Sequence, residues 1–363
     1  MWPMEPAHTG NPAGVPERPD PGVGPRDAVA GTVERLRPPV SDLDPDLDSE
    51  LDLEAAIALG RALVDNLGHV LLGSPEALEA AAIAALAGGH LLIEDVPGVG
   101  KTMLARALAV SLGAELSRVQ GHPDLLPSDI TGVSVYSPDT VSWEFRPGPV
   151  FAHVVLVDEL NRTPPRTQSA LLETMEEQQV SVDGAAWPLP RPHLVIATQN
   201  PRSQRGTFPL VESQLDRFAI ATTLGYPDAA SEAQLALQHG GKQALDDLAP
   251  VCTIAQWLQA QRAIESITVT PALATYAVDL CRASRVTPGV RLGASPRAAI
   301  WLIRAAQAHA ALSTRPYVVP DDVKAVARRC LAHRILLDDG DESIEQAGSI
   351  VERILEATAT PRP

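Results

Sequence analysis

Eight consecutive residues, Asp95-Val96-Pro97-Gly98-Val99-Gly100-Lys101-Thr102, set two glycines, a lysine and a hydroxyl at the spacing of a phosphate-binding loop. A backbone that wraps its N–H groups around a β-phosphate and hands it to a helix N-terminus needs positions free of Cβ clashes, which is what Gly98 and Gly100 provide. Lys101 is expected to bridge the β- and γ-phosphates, and Thr102 to ligate Mg²⁺. The whole nucleotide-binding stretch runs through Pro97, Gly98, Val99, Gly100, Lys101, Thr102 and Met103. Asp95 stands where the strict pattern has its first glycine.

A second chemical cluster follows in Val154-Val155-Leu156-Val157-Asp158-Glu159, an apolar run closed by two carboxylates. At the C-terminal end of a strand, Asp158 would hold Mg²⁺ through its water shell and Glu159 would act as general base on an attacking water. The same letters could also be an acidic pair at a helix N-terminus, favoured by the helix dipole. Farther on, Leu194-Val195-Ile196-Ala197-Thr198 ends in Gln199-Asn200-Pro201, so Asn200 is a candidate to position the lytic water. Taken alone, an Asn-Pro pair is only a turn.

These residues need a sheet to hold them. The runs at Leu91 to Glu94, Val154 to Val157 and Leu194 to Thr198 are short, apolar and separated by helical patterns, which predicts a parallel α/β sheet. Helical spacing from Leu53 to Leu71, and Ser74-Pro75-Glu76 as an N-cap with Pro at N1, predict two helices ahead of the first strand. After Tyr226-Pro227 the pattern becomes helical only, rich in Ala and Leu. The expected organisation is an acidic, Pro-rich disordered tail at 1–52, an α/β nucleotide-binding core at 53–226, an α-helical lid at 227–337, and a last helix and tail at 338–363.

Composition excludes several other classes. The chain has 363 residues, enough for a core and one small further domain, and a formal net charge of −16, which opposes wholesale contact with a phosphate backbone. No nucleic-acid partner is expected. No run approaches the roughly 20 apolar residues of a membrane span, and Met1 to Pro25 has no apolar core of a signal peptide, so the expected location is cytoplasmic. Cys252, Cys281 and Cys330 are odd in number and far apart, and read as buried thiols rather than zinc ligands or disulfides. His122 and His153 read as polar surface or packing residues.

Beyond these chemical motifs, three longer segments resemble the MoxR family of AAA+ ATPases. They are Asp158-Glu159-Leu160-Asn161-Arg162-Thr163-Pro164-Pro165-Arg166-Thr167-Gln168-Ser169-Ala170-Leu171-Leu172-Glu173, Pro123-Asp124-Leu125-Leu126-Pro127-Ser128-Asp129-Ile130-Thr131-Gly132, and Gln214-Leu215-Asp216-Arg217-Phe218. The likeness extends from about Gly73 to Ile335 and implies a P-loop core followed by a small helical lid. By that resemblance Lys101 and Thr102 match Walker A, Asp158 and Glu159 match Walker B, and Asn200 matches sensor 1. Arg217 matches the arginine finger that reaches a neighbour's γ-phosphate, and Arg297 in Gly293-Ala294-Ser295-Pro296-Arg297 matches sensor 2. The sequence departs from the family pattern at Gly121-His122 and at Arg202-Ser203-Gln204-Arg205.

The resemblance further implies ATP and Mg²⁺ as cofactors and a homo-oligomer, usually a hexameric ring. It implies a chaperone-like remodeller of partner complexes, often ones with a von Willebrand factor A domain. Competing readings are a magnesium-chelatase-like subunit powering metal insertion, a nucleic-acid motor opposed by the acidic balance, and a scaffold that holds ATP without hydrolysing it. Two insertions, near Val133 to Phe145 and near Val180 to Pro190 around Asp183-Gly184, read as β-hairpins. Tyr136 and Trp143 are their candidates for substrate contact.

Overall fold

Short strands buried on both faces build the centre of the molecule. A computed structural model describes residues 52–200, 207–237, 242–338 and 343–361. The leader up to residue 51, Arg202 to Arg205 and the rest of the charged stretch after Asp338, residues 339–342, lie outside the described residues. Two helices, α1 (Leu53–Gly68) and α2 (Pro75–Leu86), precede the first strand, β1 (Leu91–Glu94). The core continues through α3 (Lys101–Ser111), β2 (Leu116–Gln120), α4 (Pro127–Thr131), the hairpin β3 (Gly132–Ser137) and β4 (Ser142–Pro147), and β5 (Val154–Asp158). Next come α5 (Pro165–Glu177), the hairpin β6 (Gln179–Val182) and β7 (Ala185–Pro188), β8 (Leu194–Gln199), α6 (Glu212–Leu215) and β9 (Ile220–Thr222).

Five strands form one parallel sheet in the order β2-β5-β8-β1-β9. Successive side chains of a strand point to opposite faces, so a strand buried on both sides must be apolar throughout. Leu91, Ile93, Val154, Leu156, Leu194 and Ile196 face one apolar cluster, with α1, α2 and α3. Leu92, Val155, Val157, Val195 and Ala197 face a second, with Leu171, Leu172 and Met175 of α5. All C-terminal ends of the strands therefore open on one edge, where α/β sheets bind ligands.

Beyond the sheet come α7 (Ala229–Leu237), α8 (Lys242–Asp246), α9 (Ile254–Glu265), α10 (Pro271–Ser284), β10 (Val290–Leu292), α11 (Pro296–Leu312), α12 (Pro320–Leu331), β11 (Leu336–Leu337) and α13 (Ile344–Ala357). Thr253, Thr270, Ser295 and Ser343 each cap a helix by accepting from a backbone N–H of its first turn. Trp257 is fully buried and donates its indole N–H to Ala85 O at 3.0 Å, fastening α9 to α2. The parallel-sheet core followed by a helical lid is the fold class expected.

Local expectations differed in three places. The region after 227 is not purely helical, because β10 and β11 pair antiparallel; two or three residues are too few to show a period. Edge strands β2 and β9 were not foreseen, β2 because it is largely polar and half-exposed and β9 because it is three residues long. Ser74 occupies the N-cap of α2 but makes no capping bond; its hydroxyl donates to Leu224 O at 2.9 Å, tying the helix start to the chain after β9.

Candidate nucleotide-binding site

The chain leaves β1 into the loop and enters α3 at Lys101. Gly98 and Gly100 have φ of 91° and 102°, the left-handed region that suits glycine, and Gly100 is the N-cap of α3. Nothing lies within 4 Å of where a Cβ on Gly98 would sit. Helix α3 has no side-chain cap and no acidic residue in its first turn, so its leading N–H groups face the loop without a built-in acceptor. Asp95 has a structural task. Its carboxylate accepts from Val96 N at 2.8 Å, Leu224 N at 2.6 Å and Gly225 N at 2.8 Å, clasping the loop to the chain after β9.

The neighbouring strands bring the other candidates to this edge. Lys101 Nζ donates to Asp95 O at 2.6 Å and to Asn200 Oδ1 at 3.2 Å. Asn200 Nδ2 donates to Glu159 Oε1 at 3.0 Å. Thr102 Oγ1 donates to Asp158 Oδ2 at 3.3 Å, and Thr198 Oγ1 donates to Asp158 Oδ1 at 3.3 Å while accepting from Glu159 N at 2.9 Å. Glu159 has φ 55° and ψ 49°, a left-handed conformation uncommon for a residue with a side chain, and such conformations cluster at functional sites.

Charge is balanced around the carboxylates. Arg118 reaches Asp158 Oδ2 through Nε at 2.8 Å and Nη2 at 2.7 Å, and Arg162 donates to Glu159 Oε2 at 3.0 Å. Burial lowers the Lys101 ammonium from its ordinary pKa, while the carboxylates of Asp95, Asp158, Glu159 and Glu94 oppose that shift. The open cradle at Gly98, the uncapped start of α3 and the lysine fit a chain of phosphates. The adjoining Thr102 hydroxyl and Asp158 carboxylate are hard oxygen donors, which fit Mg²⁺.

Two candidates lie elsewhere. Arg217 precedes β9, whose Ile220 pairs with Leu91 at the start of β1, and Ala219 N donates to His90 O at 2.9 Å. Arg217 is therefore at the N-terminal edge of the sheet, across about 13 Å of strand from the loop. Arg297, at the start of α11, is beside it: Arg217 Nη2 is 3.1 Å from Glu176 Oε2, and Arg297 Nη2 bonds the other oxygen of the same carboxylate. Glu176 is the penultimate residue of α5, about 16 Å along the helix from Pro165, and the adjacent Met175 carbonyl meets His90 Nε2 at 3.3 Å. Sequence reasoning grouped Arg297 with the nucleotide residues as a sensor; within one chain it shares the Glu176 carboxylate with Arg217.

Residues the sequence did not suggest complete the picture. Thr198 and Arg118 buttress Asp158, and neither carries a spacing signal. Gly121, noted only as a departure, donates its N–H to Asp158 O at 2.7 Å, and a Cβ there would lie 2.2 Å from Glu159 O. Asp216, beside Arg217, accepts from Ser295 Oγ at 2.8 Å and from Arg334 Nε at 2.9 Å. The hairpin aromatics Tyr136 and Trp143 are opposed in register, exposed, and packed edge to face at 5.6 Å. His122 is exposed, whereas His153 holds Pro192 O through Nδ1 at 2.9 Å. Cys252, Cys281 and Cys330 are free and buried. Among the described residues, no helix is long and apolar enough to cross a membrane.

A sheet with this loop, this carboxylate pair and a helical lid defines an AAA ATPase. Family models agree: that for the ATPase family associated with various cellular activities (AAA) matches residues 90–220, and that for the AAA lid domain matches 282–354. The chain is 45% identical to protein YeaC of Bacillus subtilis (strain 168), over 84% of this chain and 95% of that protein. It is 36% identical to the chaperone MoxR1 of Mycobacterium tuberculosis (strain H37Rv), over 84% of this chain and 82% of that one. Identity to the magnesium-chelatase 38 kDa subunit of Acidiphilium rubrum is lower, 27% over 68% of this chain and 69% of that one. A crystal structure of a Cytophaga hutchinsonii protein assigned as an ATPase superposes with a TM-score of 0.77 at 35% identity, covering 85% of this chain and 97% of that one. The chain belongs to the MoxR-like AAA ATPases.

Proposed function

We propose that the protein hydrolyses ATP with Mg²⁺ as a ring, usually of six subunits in its family, and uses the cycle to remodel partner protein complexes as a chaperone. The observation that carries this reading is the separation of Arg217 from the loop of its own chain by the depth of the sheet. A guanidinium on the edge of the sheet opposite its own loop does not reach that loop's phosphates but is placed to serve a neighbouring copy, and head-to-tail contacts whose rotation closes form rings. The name of the relative MoxR1 supports the chaperone role.

The chemistry assigned to each side chain is as follows. Lys101 binds the β- and γ-phosphates, and the N–H groups at the start of α3 cradle them. Thr102 and Asp158 would hold Mg²⁺, which when bound would supply positive charge to offset that of the phosphates. Glu159 takes the proton of the attacking water, and Asn200, held between Lys101 and Glu159, orients that water relative to the γ-phosphate. Arg217 of the adjoining subunit stabilises the charge that develops as the γ-phosphoryl leaves, a contribution on the order of 10³ to 10⁵ in rate in other NTPases. Arg297 is presented at the same face.

The partner class follows from the family resemblance: a protein complex, often containing a von Willebrand factor A domain. A Glu159→Gln protein loaded with ATP and Mg²⁺ tests it, because stalled hydrolysis lengthens client residence. Proteins retained from the native extract by this variant and not by Lys101→Ala identify the client. Recovery of such a complex upholds the chaperone reading. Recovery of chelatase subunits favours the metal-insertion reading that the weaker similarity allows, and recovery of nucleic acid overturns both.

A further inference from the structure

Glu176 and Arg297 each occupy a helix end that their charge disfavours. Glu176 is in the last turn of α5, which contains no basic residue, and its negative charge faces the negative end of the helix dipole. Arg297 follows Pro296 at the opening of α11, whose first turn contains no acidic residue, and its positive charge faces the positive end. Local rules broken together tend to mark function. The two violations meet, and they meet Arg217, which comes from a third element, the corner before β9.

Two guanidiniums on one carboxylate form a geometry that neither would hold alone, since without the anion they repel each other. Each engages Glu176 through Nη2, Arg217 on Oε2 and Arg297 on Oε1. Each keeps the rest of its planar fork for a second acceptor. None of the three is buried: side-chain exposures are 26% for Arg217, 40% for Arg297 and 36% for Glu176, so the cluster is open to an approaching group. The backbone beneath is held firmly. Arg334, whose side chain is 1% exposed, donates to Asp216 O at 3.0 Å and Phe218 O at 2.6 Å, and Ser295 caps α11 while binding Asp216.

We propose that Glu176 is a positioning residue for hydrolysis, aligning Arg217 and Arg297 as a pair toward the triphosphate of the adjoining subunit. This rests on the reading of Arg217 as a finger supplied between subunits. Glu176 itself need not touch nucleotide. It fixes the two rotamers before the subunits meet, so that the transition-state charge finds both cations already in place.

The test is steady-state ATPase kinetics on assembled wild type, Glu176→Gln, Glu176→Asp, Arg217→Ala, Arg217→Ala/Arg297→Ala and the triple variant that adds Glu176→Gln to that pair, with thermal midpoints in parallel. Misplacement of a catalytic group by about 1 Å costs about a hundredfold, so Glu176→Gln is expected to lower kcat by about ten- to a hundredfold. The KM for ATP should stay within about twofold, Glu176→Asp should recover part of the loss, and the triple variant should be no slower than Arg217→Ala/Arg297→Ala. Unchanged kcat in Glu176→Gln, with Arg217→Ala inactive, overturns the positioning role and leaves the finger intact. A further loss in the triple variant shows that Glu176 acts through something other than the two arginines and overturns the proposal as well. Full kcat in Arg217→Ala removes the finger reading and this inference with it. If Glu176→Gln fails to fold, the Glu176→Asp kcat and its coupling to Arg217→Ala/Arg297→Ala decide the question.

Discussion

Asn200 Nδ2 donates to Glu159 Oε1 across 3.0 Å, although the two residues are 41 positions apart in the chain. The contact follows from strand register: β5 and β8 are parallel neighbours with Val157 opposite Ala197, so both chains leave the sheet side by side at the same edge. The amide is polarised in one direction, since its oxygen accepts from Lys101 and its nitrogen gives to Glu159. One side chain thus links the lysine that would sense phosphate to the carboxylate that would take a proton.

Glu159→Gln removes the proton acceptor and keeps the shape. Turnover is expected to fall by about 10² to 10⁴, with ATP affinity nearly unchanged, measured by phosphate release and by titration of a fluorescent ATP analogue. Normal turnover would remove Glu159 from its role as base.

Lys101→Ala deletes the cation of the loop. Because a hydrogen bond to a charged group contributes about 1.5–3 kcal/mol, ATP binding should weaken by about ten- to a hundredfold or more in the same titration. Unaltered affinity would mean that Lys101 does not face the phosphates.

Gly121→Ala places a methyl group 2.2 Å from Glu159 O and 2.8 Å from Asp158 O, both backbone atoms that cannot swing aside. The crowding should cost about 1–3 kcal/mol in urea unfolding and lower kcat by displacing the base, with a smaller effect on ATP affinity. Wild-type stability and kcat together would contradict this geometry.

Stability should fall in mild acid. Burial pushes the pKa of His90 down to about 3 and that of His193 down to about 4, from 6.5. The folded protein thus excludes protons that the unfolded chain accepts. The stability is fully present above about pH 6.5 and declines as pH drops toward 4, by about 1.4 kcal/mol per pH unit for each histidine. Urea unfolding at pH 7.5 and pH 5 measures the slope, and His90→Gln should reduce it; an identical slope would assign the acid sensitivity to other groups.

What could be seen in the sequence was whatever repeats or is spaced. The central strands declare themselves because burial on both faces forces Leu91 to Ile93, Val154 to Val157 and Leu194 to Ala197 to be apolar throughout. Gly98, Gly100, Lys101 and Thr102 form a local pattern, and Asp158, Glu159 and Asn200 stand out because each closes a strand. Contacts made through the third dimension have no such signature. Arg118 meets Asp158 only because β2 pairs with β5, and Thr198 meets it only because β8 lies on the other side. Glu176 was invisible for the same reason, being one of several acidic residues at the end of an amphipathic helix. The place of Arg297 beside Arg217 likewise depends on how the lid sits on the sheet, which helical periodicity in α11 does not encode.

The central claim is that each site is completed by a neighbouring copy, and mixing two inactive variants tests it most directly. Arg217→Ala subunits keep Glu159 but lack the finger; Glu159→Gln subunits keep the finger but lack the base. After disassembly and reassembly at equal amounts, chance placement pairs an intact base with an intact neighbouring finger at about a quarter of the interfaces, so about a quarter of wild-type turnover should return. A mixture as inactive as either parent, in rings shown to contain both variants, would contradict completion of the site between subunits.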